Sequence, residues 1–210
     1  MFRSANKLPN WERIGRLIPT ILLLFLVLGL NFGCQSVAPV VKVGLVAPFE
    51  GRHRDVGYDV LYSARLAVGE INAAGGIDGT RIVLVALDDG GNLESAQATA
   101  NSLLIDPGVV AVVGHWLPET TETAAPIYAQ GNLAFVAGGD DPFAAADPML
   151  YAPEFVASYE EVTPFDESPG PYAGSAYDAF QLLFRMLADA QRADGKIDRQ
   201  SVLAALAVIE

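Results

Sequence analysis

Four short apolar runs separated by helix-like segments constrain the fold of this 210-residue chain more than any other feature. The runs occupy residues 41–46, 82–87, 109–114 and 133–137, and each ends at glycine, proline or acidic residues. Uninterrupted apolar runs of this length are typical of strands buried on both faces of a parallel sheet. We therefore predict an α/β fold with a doubly wound parallel sheet.

Helical periodicity fills the intervals between these runs. Helices are predicted over residues 58–73, 93–105 and 119–130, and two more over 173–191 and 198–208. The predicted inward faces of the first two helices consist of Leu61, Ala64, Val68 and Ile71, and of Leu93, Ala96, Ala100, Leu103 and Leu104.

The strand-to-helix loops should meet at one edge of the sheet, because parallel strands share an orientation and their crossovers are right-handed. These loops span residues 47–57, 88–92, 115–120 and 138–142. They contain most of the unusual polar chemistry of the chain: Glu50, Arg52, His53, Arg54, Asp55, Asp88, Asp89, His115, Trp116, Glu119, Asp140 and Asp141. Ligands of open α/β sheets bind at this carboxyl edge, so the fold predicts the place of a site but not its ligand.

The first 33 residues are expected to be a signal peptide, and 34–40 a short tether. Four basic residues precede an uncharged run of 14 residues, Leu17–Leu30. A membrane-spanning helix needs about 20 apolar residues, whereas a basic start with a shorter apolar core is typical of a secretory signal. We therefore expect the protein to be exported, to the membrane surface, the periplasm or the medium.

The single cysteine, Cys34, follows this segment directly and resembles the lipidated cysteine of the bacterial lipobox. Gly33 matches the small residue that precedes the lipidated cysteine, whereas Asn31 and Phe32 depart from the leucine and small residue usual before it. The resemblance implies lipidation of Cys34 and a membrane anchor. A plain signal peptide, or an uncleaved anchor with a free thiol, is the alternative.

Charge and cysteine content exclude several classes of protein. Removing residues 1–33 takes away four basic residues and Glu12, which leaves 9 Lys and Arg against 24 Asp and Glu. Nucleic acid is not an expected partner, because phosphate binding needs clustered cations. One cysteine excludes an internal disulfide framework, and two histidines leave little material for a histidine-rich metal centre.

Several motifs of the chain occur together in one known family. They are Lys42–Pro48 with Gly51 and Gly57, Ala67–Gly79, Asp88–Asp89, Val112–Gly114, Ala124–Tyr128 and Pro171–Ala179. The most specific is Ile71-Asn-Ala-Ala-Gly-Gly-Ile-Asp-Gly79. Together they resemble the leucine/isoleucine/valine-binding proteins, which are type I solute-binding proteins of ABC importers. Residues 41–142 are similar to the N-terminal, flavodoxin-like lobe of that family.

The resemblance also implies a part that this sequence does not contain. Family members place nearly all of a second lobe between the fourth strand and a return helix, whereas here that interval is the shortened connection 143–169. Residues 170–210 are then expected to be return helices that pack on the same lobe. We expect the second lobe to be largely missing, and uncovered apolar surface would then favour a homodimer or another protein partner.

Binding positions can be transferred from the family residue by residue. The family's first-loop aromatic residue corresponds to Val56, and its pocket serine corresponds to Pro118. A carbonyl contact corresponds to Gly138 and a pocket threonine to Asp140, and both assignments depend on a loop that is one residue shorter here. Three of these four side chains depart from the amino-acid pattern, since valine, proline and aspartate stand in the aromatic, serine and threonine places.

The start of the third helix offers further candidates for ligand binding, namely Glu119, Thr120 and Thr121. Free N–H groups at a helix N-terminus favour an anion, but Glu119 would oppose an anion there. A cation, an amine or a neutral polar ligand is expected at least as readily as a carboxylate. The alternative is that Thr120 or Thr121 simply caps the helix.

A metal site and an enzymatic activity are less well supported by the sequence. His115 with the acidic pairs Asp88–Asp89 and Asp140–Asp141 could hold a metal, but Asp-Asp-Gly-Gly is also an ordinary turn sequence and no metal-ligand spacing is present. No nucleophile motif, dinucleotide fingerprint or phosphate loop appears, so we expect neither catalysis nor a cofactor.

The resemblance implies an exported solute-binding protein of the branched-chain amino acid type, a component of an ABC import system. Its expected partners are a small polar solute such as an amino acid or amide, and an ABC permease. Loss of the second lobe should impair or alter binding. The alternatives are a single-lobe ligand sensor or protein-interaction module without a transport role, and a chain that folds but binds nothing.

Overall fold

A computed structural model of the chain describes residues 38–209. The predicted signal peptide, Cys34 and most of the predicted tether lie outside the described residues. Among residues 38–209, no helix combines the length and the apolar character needed to cross a bilayer.

Four parallel strands form the sheet, as the apolar runs predicted. They are β1 (Val40–Ala47), β2 (Arg81–Asp88), β3 (Val109–Gly114) and β4 (Ala134–Ala137), in the order β2-β1-β3-β4. This order places consecutive crossovers on opposite sides of β1, which makes the sheet doubly wound. Among the described residues it is the only sheet, so nothing after Pro142 builds a second one there.

Six helices surround the sheet in the described part of the chain. They are α1 (Arg54–Ala73), α2 (Leu93–Ile105), α3 (Pro118–Gln130), α4 (Pro153–Val162), α5 (Ala173–Asp194) and α6 (Arg199–Ile209). Short 3-10 turns at Gly51–His53 and Pro148–Leu150 precede α1 and α4.

Two apolar clusters cover the two faces of the sheet. On one face, Val43 and Leu45 of β1 pack with α1, α5 and α6, and the central residues of α5 such as Phe180 and Leu183 are fully buried. On the other face, Val46 and Val112 pack with α2 and α3. Helices on both faces confirm the predicted α/β class.

The edge strand β2 departs from the prediction that each strand is buried on both faces. Val83 is 37% exposed, because no strand lies beyond β2 in the described part of the chain. Leu93 was predicted to face inward and is 54% exposed, since it is the first residue of α2, where the helix leaves the sheet edge.

The side chain of Asn72, near the end of α1, completes the outer edge of β2. Its Nδ2 donates to the carbonyl oxygen of Ile82 (2.8 Å), and its Oδ1 accepts the Ile82 N–H (2.9 Å). The neighbouring Arg81 N–H points the other way, to the carbonyl oxygen of Pro39 on the β1 side. The outward backbone groups of Ile82 are therefore paired by a side chain instead of a strand.

Candidate functional site

The first two loops at the carboxyl edge of the sheet are tied into one surface. Asp88 Oδ1 accepts hydrogen bonds from the N–H groups of Phe49 and Gly90, each at 2.8 Å. The Asp89 N–H donates to the carbonyl oxygen of Ala47 at 3.2 Å. These bonds fix the ends of β1 and β2 relative to each other and hold the adjoining loop backbone in place.

The first turn of α3 stands at the end of β3 and provides the backbone groups of the candidate site. Pro118 is its first residue, and the first intrahelical bond runs from the Thr121 N–H to the Leu117 carbonyl oxygen (3.0 Å). The N–H groups of Glu119 and Thr120 precede that bond and favour an anion. The exposed Glu119 carboxylate adds negative charge to the same turn, so a neutral or cationic group suits this end as well as an anion.

The threonines of this turn do not cap the helix in the way the sequence suggested. The hydroxyl of Thr120 donates to the Leu117 carbonyl oxygen (3.0 Å), and that of Thr121 donates to the His115 carbonyl oxygen (2.8 Å). The N-cap residue is Leu117, which forms no side-chain cap bond. The capping alternative is therefore wrong: both hydroxyls bind carbonyl groups, and the one on Thr121 ties α3 to the end of β3.

The loop after β4 lies directly on Trp116. The Gly138 N–H donates to the Gly114 carbonyl oxygen (3.1 Å), and a Cβ on Gly138 would lie 2.6 Å from Cε2 of the indole. Trp116 is 1% exposed, and its ring meets Tyr172 edge to face at 6.2 Å. Its buried Nε1 has no hydrogen-bond partner among the described residues. Gly138 thus belongs to the packing of the edge, where a larger residue would displace the indole.

Two other transferred positions lie on α1 and on the loop after β4. Val56 lies in the first turn of α1, which begins at Arg54 instead of residue 58, and its side chain packs against the main core. Asp140 is exposed, and its carbonyl oxygen accepts the Phe143 N–H at 2.6 Å. Of the predicted site residues, the structure therefore brings together Pro118, Glu119, Thr120 and Thr121 on one helical turn.

A buried chain of three polar side chains lies beneath this turn, and their bonds to one another were not predicted from the sequence. His115 Nδ1 lies 2.8 Å from Asp89 Oδ2, and His115 Nε2 lies 3.1 Å from the Tyr128 hydroxyl. All three side chains are fully buried. Burial and the charge of Asp89 raise the pKa of Tyr128, so its hydroxyl stays protonated. From the sequence, His115 and Asp89 were grouped at this edge only as possible metal ligands, and nothing indicated Tyr128, which lies 13 positions beyond His115.

These bonds also bear on the metal alternative. Asp89 and His115 bind each other, and Asp88 binds backbone amides, so these groups are engaged within the protein. Within residues 38–209, no three histidine, cysteine or acidic side chains are placed to hold a metal ion.

A cleft of about 370 Å³ opens on the flank of α1 next to the edge. Within it, Asp59 accepts the Tyr172 N–H at 3.2 Å, and burial raises the pKa of Asp59. The cleft is lined by Arg54, Asp55, Tyr58, Asp59, Tyr62, Pro164, Phe165 and Glu167.

Comparison with known proteins agrees with this architecture. A model of the periplasmic binding protein family matches residues 40–154, more than half of the chain. An amino acid binding protein of Pseudomonas aeruginosa is 36% identical over 117 residues, which cover 55% of this chain and 30% of that protein. The Leu/Ile/Val-binding protein of Escherichia coli is 30% identical over 150 residues, covering 70% of this chain and 38% of the relative. The matched segment thus spans about a third of these curated relatives.

Solved structures share the fold at low sequence identity. A branched-chain amino acid transporter substrate-binding protein of Streptococcus pneumoniae, in complex with isoleucine, aligns with a TM-score of 0.63 and 15% identity, covering 80% of this chain and 88% of that one. A solute-binding protein of Rhodopseudomonas palustris, in complex with 3,4-dihydroxybenzoic acid, also aligns at 0.63, with 14% identity and coverage of 79% and 84%.

The matched family consists of exported proteins that bind solutes and are not enzymes. The edge loops, the parallel sheet and the family match over residues 40–154 lead to one conclusion: this chain belongs to the periplasmic binding protein family.

Proposed function

We propose that the chain is an exported solute-binding lobe of the branched-chain amino acid type that serves an ABC import system. The observation that carries this proposal is the first turn of α3 at the carboxyl edge of the sheet, in a chain similar to Leu/Ile/Val-binding proteins. Within residues 38–209, the N–H groups of Glu119 and Thr120 in this turn have no hydrogen-bond partner. An amino acid or amide would place its polar end against this turn. An ABC permease would be the partner.

A single lobe offers a ligand one wall instead of a closed cleft, so binding should be weak. We expect dissociation constants above about 10 μM for amino acids and amides, since a tighter complex would need about 7 kcal/mol from this one surface. Isothermal titration of residues 34–210 against amino acids, amides and small polyols measures this. A monomer that binds more tightly would show that a second wall is unnecessary.

The charge of Glu119 makes the position of the site testable. Glu119→Gln removes a negative charge from the first turn of α3, which should change affinity by about 0.3–1 kcal/mol, or roughly two- to fivefold. A ligand with its carboxylate at this turn would bind more tightly, and an amine more weakly. Glu122→Gln, an exposed position on the same helix, is the matched control and should have a smaller effect. Equal effects of both variants on every bound solute would place the site elsewhere.

Membrane attachment through Cys34 is the second part of the proposal. Its position after a basic and apolar segment supports lipid attachment, which would keep the lobe at the membrane that holds the permease. Growth with radioactive palmitate should label the wild-type chain and leave Cys34→Ser unlabelled. Equal label in both chains, or label in neither, would contradict lipidation at this residue.

A second candidate function is a single-lobe sensor or interaction module whose partner covers part of its surface. The observation that favours it is three large apolar side chains exposed in the connection 143–169, namely Met149 (90%), Leu150 (82%) and Phe165 (81%). A second copy of the chain is the simplest partner that could cover them.

A further inference from the structure

The buried chain beneath α3 joins four elements of the lobe. Asp89 follows β2, His115 follows β3, and Tyr128 lies in α3. Asp89 Oδ1 also accepts the Gly91 N–H at 2.9 Å, so both carboxylate oxygens are engaged. The Asp89 N–H donates to Ala47 at the end of β1, which brings a third strand end into the same group of bonds.

Hydrogen-bond geometry selects one protonation state of His115. The Asp89 oxygen at 2.8 Å from Nδ1 requires a proton on Nδ1, because two lone pairs at that distance repel. The Tyr128 hydroxyl lies 3.1 Å from Nε2, and its buried proton needs an acceptor. Only the neutral ring with Nδ1–H and an unprotonated Nε2 satisfies both neighbours.

The backbone of the same histidine is bonded to the first turn of α3, which forms the candidate site. Its carbonyl oxygen accepts the Thr121 hydroxyl at 2.8 Å, and the next three residues lead into the first turn of α3. The ring bonds hold the side chain of His115, and the Thr121 bond holds its backbone, so a change of ring partners that shifts the His115 backbone would also shift the N–H groups of Glu119 and Thr120.

We propose that Asp89, His115 and Tyr128 form a positioning chain that holds His115 in the neutral Nδ1–H tautomer and thereby fixes the first turn of α3 at the carboxyl edge. Its importance for ligand binding rests on the function proposed above. The chain itself is tested without any ligand.

The tautomer is observable directly in long-range ¹H–¹⁵N spectra of the labelled full chain at neutral pH. The chain has two histidines, and His53 in the surface loop serves as the internal comparison. We expect His115 to show a protonated Nδ1 and an unprotonated Nε2. A protonated Nε2, or a mixture of tautomers like that of a solvated ring, would overturn the proposal.

Two substitutions of His115 test the roles of its two ring nitrogens separately. Asn places its amide nitrogen two bonds from Cβ, as Nδ1 is, and retains a donor to Asp89. Gln places its nitrogen three bonds from Cβ, as Nε2 is, and loses that donor. We expect larger shifts of the Glu119, Thr120 and Thr121 amide resonances in His115→Gln than in His115→Asn, and equal shifts would contradict the role.

A matched packing control is available in Phe135, whose ring lies 6.2 Å from that of His115 and 4.8 Å from that of Tyr128. Phe135→Leu removes contacts with both rings but no polar atom, so the tautomer should persist. Tyr128→Phe removes only the hydroxyl and should fold. We expect it to shift the Nε2 resonance of His115, and an unchanged resonance would overturn the proposal.

Solute titrations of the same variants distinguish this inference from the proposed function. If the wild-type chain binds no solute while its spectra show the expected tautomer, the proposed function fails and the positioning chain stands. If a solute binds the wild-type chain and His115→Gln equally well, the positioning role for that site is refuted.

Discussion

Asp59 shows, at the scale of single residues, how a carboxylate holds one helix to the next. It lies in α1 and accepts the Tyr172 N–H (3.2 Å) and a hydrogen bond from the Gly170 backbone. Ser63, one turn further along α1, donates to the Ala173 carbonyl oxygen at 2.7 Å. Together these bonds fix the start of α5 against α1, while burial raises the pKa of Asp59 above its usual value.

A raised carboxyl pKa in the folded chain makes stability depend on pH in a defined direction. The charged form of Asp59 is less favourable in the folded than in the unfolded chain. The stabilisation that the protonated carboxyl gives the folded chain is therefore complete below the pKa of the unfolded chain, and it is lost as pH rises through the higher pKa of the folded chain. Asp59→Asn retains an oxygen that can accept the Tyr172 N–H and removes the charge. We expect the variant to gain stability relative to wild type as pH rises from about 4 towards 7.

Urea unfolding across that pH range measures the difference between the two chains. Glu94→Gln, at an exposed position in the first turn of α2, is the control for general charge effects. A stability difference between wild type and Asp59→Asn that stays constant with pH would show that Asp59 does not titrate as described.

Single residues at the edge were only partly predictable from the sequence. The loops that contain Asp88, Asp89 and His115 follow from the strand order, so their meeting at one edge was foreseeable. The burial of Asp89 beside the exposed Asp88 was not, because it depends on partners in β3 and α3 that are distant in sequence. Side chains that bind across elements leave no local pattern.

At the scale of elements, apolar runs located the strands to within one residue at each end. The start of α1 was placed four residues too late, because it lacks the usual N-cap signal. Its N-cap residue is His53, which makes no side-chain cap bond and ends a 3-10 turn. By contrast, α2 begins after Asn92, whose side chain accepts the Ser95 N–H (3.0 Å), and its predicted range 93–105 matches the structure.

The end of α2 is capped by a residue from a different helix. Arg199 of α6 donates from Nη2 to the carbonyl oxygens of Leu104 (3.0 Å) and Asp106 (2.7 Å), and from Nε to that of Val109 (2.8 Å). The guanidinium satisfies carbonyl groups that a helix leaves unpaired at its C-terminus, where positive charge is also favourable.

Arg199→Ala should therefore destabilise the lobe by about 2 kcal/mol, since hydrogen bonds to a charged group are lost together. Arg199→Lys should recover part of this loss, because an ammonium cannot span the same set of carbonyl groups. Denaturant unfolding of both variants tests the expectation. Gln200→Ala, at the exposed neighbouring position, is the matched control, and an equal loss there would contradict the capping role.

At the scale of the whole molecule, α5 completes the core that residues 40–142 begin. Ala176, Phe180, Leu183 and Leu187 are fully buried and pack with β1, β3 and α1 in one cluster. Helical periodicity indicated this apolar face in advance, whereas the face of the sheet that it covers depends on the path of the chain through residues 143–169. Periodicity shows which side of a single helix is apolar, so it could not predict the route of residues 143–169 or the face of the sheet that α5 covers.

The apolar side chains exposed in the connection lead to a prediction about association. We expect residues 34–210 with Cys34→Ser to show a mass that rises with concentration in light scattering, because Leu150 and Phe165 can be buried between copies. Leu150→Ser with Phe165→Ser should abolish the rise. Ile105→Ser, an equally exposed position at the end of α2, is the control, and a monomer at all concentrations would refute association through this surface.

The Asn72 amide that pairs with Ile82 also covers the backbone groups through which another strand could pair with β2 at that residue. The alternation along β2 turns the backbone groups of Leu84 and Ala86 outward on the same side as those of Ile82. An uncovered edge strand is a template for cross-β growth. Because Asn72 occupies the outward backbone groups of Ile82, an incoming strand could form its first hydrogen bonds only at Leu84, two residues further along β2.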